Sequence, residues 1–496
     1  MSRLKLAVLA SLAASAVMAT SCAGDQSTAK REGDGERITL TVHRPTEESP
    51  PDNDILKREI DKALGIDLRL VTTGGTEYET QLSASLAAGD PPDLFSISRP
   101  MLRKLASQGL LLDLTEYMDN ELTTYTQFVS PETRTRGKID GRDYALASKS
   151  GYFYPAYWIR KDWLDNLGLE VPRTVDELFE VARAFTKDDP DGNGKNDTYG
   201  LTGDRGFSAF MPLWGAFGSG GPGNFYLKDG EIVNGYVDPA TKDALAFIQK
   251  LNKQGVVDPD WVTNEFMTAH ERAWQGRAGI LYFSWSEMTK PEFVDQYKKA
   301  NPEAEWIQMA PPSGPAGEGA LPRDRGAVTL WAIPRALEKD EAKLQKVFDL
   351  INFVSSQEGN RLVMYGLEGR HYTLDGQRVV PTDKLAEEGN YFWLYQLTGR
   401  DDEDYLATKF AAQQEYIDFA NNQPFIEIYN SLVTPPEDYN AGDASRFIEE
   451  QFARFVSGAR PLSEYDEFLD TLLNKFGYAD YIESAKEQIR AAGIQQ

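Results

Sequence analysis

Cysteine and histidine are almost absent from this 496-residue chain, which has one Cys, at position 22, and three His, at positions 43, 270 and 371. A single Cys allows no intramolecular disulfide, so the fold must depend on its packed core. The histidines do not have the spacing of a zinc site. The sequence also lacks a phosphate-cradling glycine loop and a nucleophile elbow, so no catalytic residue is predicted.

Positive charge is also scarce, with 52 Lys and Arg against 77 Asp and Glu and a formal net charge of −25. A surface this acidic repels nucleic acid and anionic lipid headgroups, and we expect neither as an electrostatic partner. The apolar fraction of 41% is ample for a core. Beyond the N terminus, no apolar run reaches the length of a membrane-spanning helix.

The apolar run at the N terminus covers residues 6 to 18 and follows Arg3 and Lys5. It is too short for a spanning helix and is typical of the core of a signal peptide. Small residues and then Cys22 follow, a pattern that resembles a bacterial lipobox, in which the thiol is lipidated and the chain is cut just before it. We therefore predict a signal peptide over residues 1–21 and a lipidated tether over residues 22–37. An ordinary secretory signal with an incidental Cys is the alternative.

From residue 38 onward, strand and helix patterns alternate. Strands are predicted at 38–42, 66–70 and 93–97, and helices at 54–64 and 76–88. This order is typical of an α/β fold, in which ligands bind beyond the carboxyl ends of the strands. Three side chains that directly follow such strands are candidate ligand contacts, although each could equally be a solvated loop residue: His43, Arg44 and Arg99.

Residues 172 to 200 combine a helix start with a loop of oxygen donors. Thr174 and Glu177 fit a capping box, and an apolar helical face follows them. The donors after the helix fall at positions one, three, five, seven and nine of a calcium loop: Asp189, Asp191, Asn193, the Lys195 carbonyl and Asp197. Position twelve, which is normally Glu, is Gly200. The pattern favours a bound Ca²⁺, and a polar turn without an ion is the alternative.

Aromatic residues are prominent in the middle of the chain. A cluster runs from Tyr152 to Trp158, and Trp214 opens a glycine-rich segment over residues 214–224 that is predicted to be a flexible loop with an exposed Trp. Trp285 is predicted to lie on a loop that follows a buried strand, as part of the stretch 274–288. Sugar rings stack on aromatic faces, and their hydroxyls need polar partners. Trp285 is therefore our best single ligand contact, with core packing as its alternative.

Further candidates complete the predicted ligand site. Glu287 and Arg44 are the expected hydrogen-bonding partners of a sugar, and Trp214 is a second aromatic contact. Later in the chain, helices are predicted around residues 244–251 and 344–354 and on both sides of a break near Gly458. The acidic run RDDED at residues 400–404 is predicted to be a solvated loop.

Several segments together resemble the extracellular solute-binding lipoproteins of ABC importers for oligosaccharides. They are IRKDWLDNLGL and DPDGNGKNDTYGL within residues 159–201, GDPPD at 89–93, WQGRAGILYFSW at 274–285, YGLEGRHYTL at 365–374 and the terminal helices after residue 447. The resemblance covers most of residues 38 to 374. In that family the loop that matches residues 189–197 is a structural Ca²⁺ site.

The resemblance implies a two-lobed α/β fold of the periplasmic-binding-protein type II, with hinge crossings between the lobes. The first lobe would comprise residues 38–148 and 309–368, and the second residues 149–308 and 369–496. It also implies a monomer that is anchored by lipid to the outer face of the bacterial cytoplasmic membrane. Such a protein captures an oligosaccharide by lobe closure and delivers it to the permease subunits of an ABC transporter.

Two other functions stay open at this point. Carboxylates are too numerous to pair from sequence, so a surface enzyme that degrades polysaccharide is one alternative. The other is a glycan-binding lipoprotein without a transporter. The sequence does not define the sugar, a peptide or another solute is not excluded by it, and the acidic composition disfavours polyanionic ligands only weakly.

Overall fold

The computed structural model describes residues 37–149, 151, 154–324, 328–436 and 439–494, apart from the side chains of residues 75 and 76. The chain divides into two compact units, residues 1–37 and residues 38–496. The first unit is almost entirely outside the described residues. The predicted signal peptide, tether and lipidated Cys22 therefore cannot be placed, and the same holds for Tyr152 and Phe153 of the aromatic cluster.

The second unit is a mixed α/β structure. Its strands are β1 (Ile38–Pro45), β2 (Ile66–Thr73), β3 (Leu94–Ile97), β4 (Lys138–Ile139), β5 (Arg142–Asp143), β6 (Leu146–Ala147), β7 (Pro155–Arg160), β8 (Tyr199–Leu201), β9 (Phe225–Lys228), β10 (Glu231–Asn234), β11 (Ala278–Ser284), β12 (Trp306–Met309), β13 (Leu321–Arg323), β14 (Leu330–Ala332), β15 (Tyr372–Asp375), β16 (Arg378–Pro381) and β17 (Phe425–Glu427).

Its helices are α1 (Ile55–Leu64), α2 (Gly75–Ala88), α3 (Arg99–Ser107), α4 (Thr123–Phe128), α5 (Pro131–Arg134), α6 (Lys161–Leu167), α7 (Val175–Lys187), α8 (Met211–Ala216), α9 (Pro239–Lys253), α10 (Phe266–Trp274), α11 (Trp285–Thr289), α12 (Pro291–Ala300), α13 (Glu341–Ser355), α14 (Gln357–Tyr365), α15 (Asp383–Glu388), α16 (Asp402–Lys409), α17 (Gln414–Asn421), α18 (Ala441–Ser457), α19 (Tyr465–Asp470) and α20 (Tyr478–Ala491). Among the described residues, none of these helices is long and apolar enough to cross a membrane.

The first sheet has the strand order β2-β1-β3-β14-β6. Strands β1, β2 and β3 are parallel and are connected by α1 and α2, which confirms the predicted alternation of strand and helix. Helix α1 begins where Asp54 accepts a hydrogen bond from the backbone N–H of Lys57, and it ends at Gly65, whose φ of 66° lies in the left-handed region that favours Gly. Strands β14 and β6 complete the sheet in antiparallel pairings.

The second sheet has the order β12-β7-β11-β8. Strand β11 is antiparallel to β7, with Ser284 opposite Pro155, and parallel to β8. Side chains along β7 alternate between two cores: Trp158 belongs to one, and Tyr157 and Ile159 belong to the other. This period of two is what a strand buried on both faces requires.

In each sheet, the register places the ends of several strands at one edge, and the same two chain segments leave from that edge. In the first sheet, the carboxyl ends of the parallel strands share an edge with Ala147, where β6 ends, and Leu330, where β14 begins. In the second sheet, Ser284 shares an edge with Pro155 and with the end of β12. Residues 148–154 and 310–329 join these two edges, so the strand ends of both sheets meet at the two crossing segments.

The core has parts on both faces of each sheet. The largest cluster joins the first sheet, α13, residues 385–406 and one face of β11. A second cluster packs α7, α9 and the terminal helices α18–α20 on the other face of the second sheet. A smaller one lies between the first sheet and α2 and α3. The exact lobe boundaries given above stay a prediction.

The structure confirms one of the local predictions and corrects three others. The capping box at Thr174 and Glu177 is confirmed and opens α7. Two loop predictions are wrong in part. Trp214 lies on α8, although residues 217–224 are outside any helix or strand, and residues 402–404 begin α16, with Asp401 as the N-cap. The predicted loop at Trp285 is the first turn of α11. Helices α11 and α16 begin at the capping side chains of Ser284 and Asp401, local signals that the loop predictions overlooked, whereas α8 has no such cap and is buried in the second core.

Candidate functional site

Arg44 lies at the carboxyl end of β1 and is half-buried. Its guanidinium donates to the backbone carbonyls of Trp393 and Leu394 and lies 4.6 Å from the Trp393 ring and 5.7 Å from the Trp331 ring. Burial lowers the pKa of Arg44 to about 10, so the side chain stays charged at neutral pH. Its Nε is buried without a hydrogen-bond partner among the described residues. In this conformation Arg44 is a fixed cation, and its free Nε is not open to solvent.

His43, the neighbouring candidate, is only 5% exposed. Its Nε2 lies 2.9 Å from Thr73 Oγ1, and its ring lies 4.5 Å from that of Tyr78. Burial lowers the pKa of His43, which keeps the ring neutral. In this conformation the side chain braces β1 against β2 and α2 and offers no open face to a ligand.

Arg99 begins α3 directly after β3, at the edge where the crossing segments leave. Its Nη1 donates to the carbonyl of Arg136 at 2.7 Å, and its Nε is buried without a partner among the described residues. Burial and the nearby charges of Arg103 and Arg136 lower the pKa of Arg99. Like charges have therefore been gathered at this edge, although the chain as a whole is strongly acidic.

Trp285 follows β11 at the corresponding edge of the second sheet, as predicted, but it is fully buried. Its ring packs 5.4 Å from Tyr154 and 5.3 Å from Phe410, and its Nε1 has no hydrogen-bond partner among the described residues. In this conformation Trp285 therefore packs in the core, which was the alternative to a ligand contact. Glu287, in the first turn of α11, is half-buried and accepts a hydrogen bond from Ser286 Oγ at 2.6 Å.

Trp214 does not join this group. It is fully buried in the second core, with its ring 6.2 Å from Phe452 of α18. The expectation of an exposed Trp on a flexible loop is therefore wrong. The glycines that suggested a loop follow α8 in the sequence, and Trp214 itself lies on this buried helix. Of the predicted contacts, the structure places Arg44, Arg99, Trp285 and Glu287 near the crossing segments.

Sequence reasoning missed a buried ion pair that fixes one crossing segment. Arg400 donates to Asp402 Oδ1 at 2.6 Å and to the Tyr154 hydroxyl at 2.9 Å, and its guanidinium lies 3.9 Å from the Tyr405 ring. The Lys149 N–H donates to the Thr398 carbonyl at 3.0 Å. These contacts tie both ends of residues 149–154 to the C-terminal section. An Arg followed two residues later by Asp is too common a pattern to have revealed them.

The predicted calcium loop has its donors in order, and several of them hydrogen-bond with one another. Asn193 Nδ2 lies 2.8 Å from Asp191 Oδ2 and 3.2 Å from Asp197 Oδ1, so an amide group stands between the two carboxylates. Asp189 accepts from the backbone N–H groups of Asn193 and Gly194. Within the described ranges, no three carboxylate, imidazole or thiol side chains form a ready metal site. Burial, together with the carboxyl groups of Asp189 and Asp197, raises the pKa of Asp191.

The chain resembles known proteins over most of its length. Residues 49–361 match the sequence model of the bacterial extracellular solute-binding proteins. The polygalacturonan/rhamnogalacturonan-binding protein YtcQ of Bacillus subtilis is 27% identical over 74% of this chain and 73% of its own, and the lipoprotein LipO of the same organism is 23% identical over 72% of each. The solved structure of the Streptococcus pneumoniae ABC-transporter substrate-binding protein FusA with kestose, 18% identical, aligns with a TM-score of 0.72 over 92% of this chain and 99% of its own.

Two sheets whose strand ends are connected by paired crossing segments are the arrangement expected of a two-lobed solute-binding protein. The structural alignment confirms this predicted fold class. The chain belongs to the family of bacterial extracellular solute-binding proteins. The family resemblance inferred from the sequence segments is thereby confirmed.

The buried contacts of Arg400 predict a large effect on stability. The side chains of Arg400 and Asp402 are 18% and 6% exposed, and Arg400→Ala removes this buried ion pair together with the hydrogen bond to the Tyr154 hydroxyl. We expect the free energy of unfolding, measured by urea denaturation, to fall by about 3 kcal/mol. The control is Arg142→Ala, which removes an exposed pair with Asp113 and should cost less than about 1 kcal/mol. Equal losses in the two variants would contradict this account.

Proposed function

We propose that this protein captures an oligosaccharide between its two lobes and delivers it to an ABC importer. The observation that supports the proposal is the register, which places strand ends of both sheets at the two crossing segments, with Arg44 and Arg99 at the carboxyl ends of β1 and β3. Ligands of open α/β sheets bind beyond the carboxyl ends of strands. Closure about the crossings would then enclose the ligand and give the transporter a distinct form to recognise.

The relatives support a sugar as the ligand. YtcQ is named for binding polygalacturonan and rhamnogalacturonan, and FusA was solved with kestose. These ligands differ in charge and ring type, and what they share is the chemistry of linked sugar rings. Arg99 also lies near the positive charges of Arg103 and Arg136. This local positive charge makes an acidic oligosaccharide compatible with the edge of the first sheet, although the surface as a whole is acidic.

Thermal melting against a panel of neutral and acidic oligosaccharides tests this proposal. Binding to the native state alone adds about 2.7 kcal/mol of stability at a hundredfold excess of ligand over Kd, so at least one sugar should raise Tm. If that sugar is acidic, Arg99→Gln should reduce the shift, whereas Arg69→Gln, on an exposed side chain of β2, should not. The absence of any shift across the panel, with folded protein, would overturn the proposal.

We further propose that the loop at residues 189–197 binds Ca²⁺ as a structural ion. Its donors match the order that a hard cation prefers: Asp189, Asp191, Asn193, the Lys195 carbonyl and Asp197. In the conformation described, the Asn193 amide occupies the space between two carboxylates, so binding requires it to turn and present its oxygen. The positive charge of the ion would offset the negative charges of the three carboxylates in this loop.

The raised pKa of Asp191 gives this calcium proposal a signed test. A carboxyl group whose pKa is raised by folding stabilises the protein below its unfolded pKa, and that contribution is lost as pH rises through the folded pKa. Without Ca²⁺ at pH 7, Asp191→Asn should therefore leave Tm equal or raise it. With Ca²⁺, the wild type should gain more in Tm than the variant, because Asn offers the ion one neutral oxygen in place of a carboxylate. An equal calcium shift in the two proteins would contradict the assignment.

The third proposal is that Cys22 is lipidated and anchors the protein on the outer face of the membrane. It is supported by the basic and apolar leader and by the similarity to LipO, which is named a lipoprotein. Two or more acyl chains give stable anchoring, whereas the acidic surface provides no electrostatic attachment. Cys22→Ser should move the protein from the membrane fraction to the soluble fraction of bacterial cells. Retention in the membrane fraction would contradict lipidation.

A further inference from the structure

Large apolar side chains are exposed at few places among the described residues, and three of them are grouped at one place. Val262, Phe266 and Met267 are 44%, 54% and 43% exposed, and Phe266 is the aromatic member. An exposed Phe forgoes the stabilisation that burial of its ring would give, on the order of 25 cal/mol per Å² of apolar area. A grouped exposed apolar surface commonly marks a binding site.

The position of Phe266 connects it with the binding edge of the second sheet. It begins α10, which runs back to the start of β11, so that the Phe266 ring lies 5.2 Å from the ring of Phe283 near the carboxyl end of that strand. The loop before it is held by Asn264, whose Nδ2 donates to the Gly203 carbonyl just beyond β8 at 3.2 Å. Phe266 therefore stands at the edge where the crossing segments leave the sheet.

The ring is supported from behind by rigid, uncharged groups. His270 is 2% exposed and stacks on Phe283 with the ring centres 3.2 Å apart, and its ring lies 4.5 Å from that of Phe266. Burial lowers the pKa of His270 to about 3, so the imidazole is neutral at physiological pH. The exposed ring is thus held in one orientation by two packed rings, which limits the entropy lost when a ligand settles on it.

Polar groups suited to sugar hydroxyls flank this ring. Arg205, in the loop after β8, pairs with Glu265 at 3.1 Å, and the two side chains are 68% and 65% exposed. A planar guanidinium and a planar carboxylate can each form paired hydrogen bonds with neighbouring hydroxyls. An exposed aromatic face beside such groups is the combination that a sugar ring requires, because its C–H face is apolar and its rim is polar.

We propose that Phe266 is the aromatic platform on which a sugar ring of the bound oligosaccharide stacks, with Arg205 and Glu265 binding its hydroxyls. This inference rests on the proposed function of oligosaccharide capture. It assigns the stacking role at this edge to a side chain that is open to solvent, whereas Trp285 is enclosed by Tyr154 and Phe410. An apolar docking surface for the transporter would use the same exposed area but would not depend on an aromatic ring.

The experiment is a titration of the protein by calorimetry with the sugar that gives the largest thermal shift in the wild type. Phe266→Ala and Phe266→Leu should both weaken binding about tenfold, since Leu keeps the apolar area but has no aromatic face. Phe266→Trp should bind at least as tightly as the wild type. Val262→Ala, the control within the same exposed group, should leave the affinity unchanged. Circular dichroism without sugar should show that all four variants are folded at the temperature of the titration, because Val262 and Phe266 are 44% and 54% exposed.

The outcomes separate this inference from the function it depends on. If the wild type binds a sugar and Phe266→Ala and Phe266→Leu bind it equally well, the stacking role is overturned while oligosaccharide capture stands. Loss of affinity in Phe266→Ala but not in Phe266→Leu would also overturn it, in favour of plain apolar contact. If the wild type binds no sugar at all, both the function and the platform are overturned.

Discussion

The backbone pairing of β11 with β7 determines which strand ends of the second sheet lie beside the crossing segments. Ser284 opposite Pro155 brings the end of one strand to the start of the other, and both therefore lie at the edge from which residues 148–154 and 310–329 depart. The antiparallel pairing of β14 with β3 does the same for the first sheet. A one-residue slip in either register would turn every side chain of the strand to the opposite face and dismantle two cores at once. The position of the strand ends is thus fixed by hydrogen bonding and core packing.

Charge at this edge is distributed differently from charge over the whole chain. The formal net charge of −25 keeps the surface acidic, yet Arg44 is held on two Trp rings and Arg99 lies near two other arginines. Aromatic faces and backbone carbonyls stabilise such cations without neutralising them. Arg400 is different, because its carboxylate partner makes it a structural clamp on a crossing segment. Arg44 and Arg99 each keep an Nε without a partner among the described residues, whereas Arg400 is engaged by Asp402, Gln396 and Tyr154, a difference that overall composition could not reveal.

Much of the fold could be predicted because its signals are local. The alternation in β1 and β2, the capping box of α7 and the Gly that ends α1 each depend on residues close in sequence. The binding residues were harder, because the exposure of a side chain depends on what distant segments place over it. Trp285 is covered by Phe410 and Trp214 packs against Phe452, contacts that no local pattern announces. Phe266 is the opposite case. In the sequence it looks like an ordinary apolar residue at the start of an amphipathic helix, and only the position of α10 in the fold leaves its side chain exposed to solvent.

The central claim is that the two lobes close on an oligosaccharide about the crossing segments. Small-angle X-ray scattering of the purified protein, with and without a saturating sugar chosen by thermal shift, measures this directly through the radius of gyration. The account predicts a smaller radius of gyration with sugar, because closure brings the two sheets and their cores nearer to each other. An unchanged radius of gyration in a sample whose Tm shows that the sugar is bound would contradict closure as the means of capture.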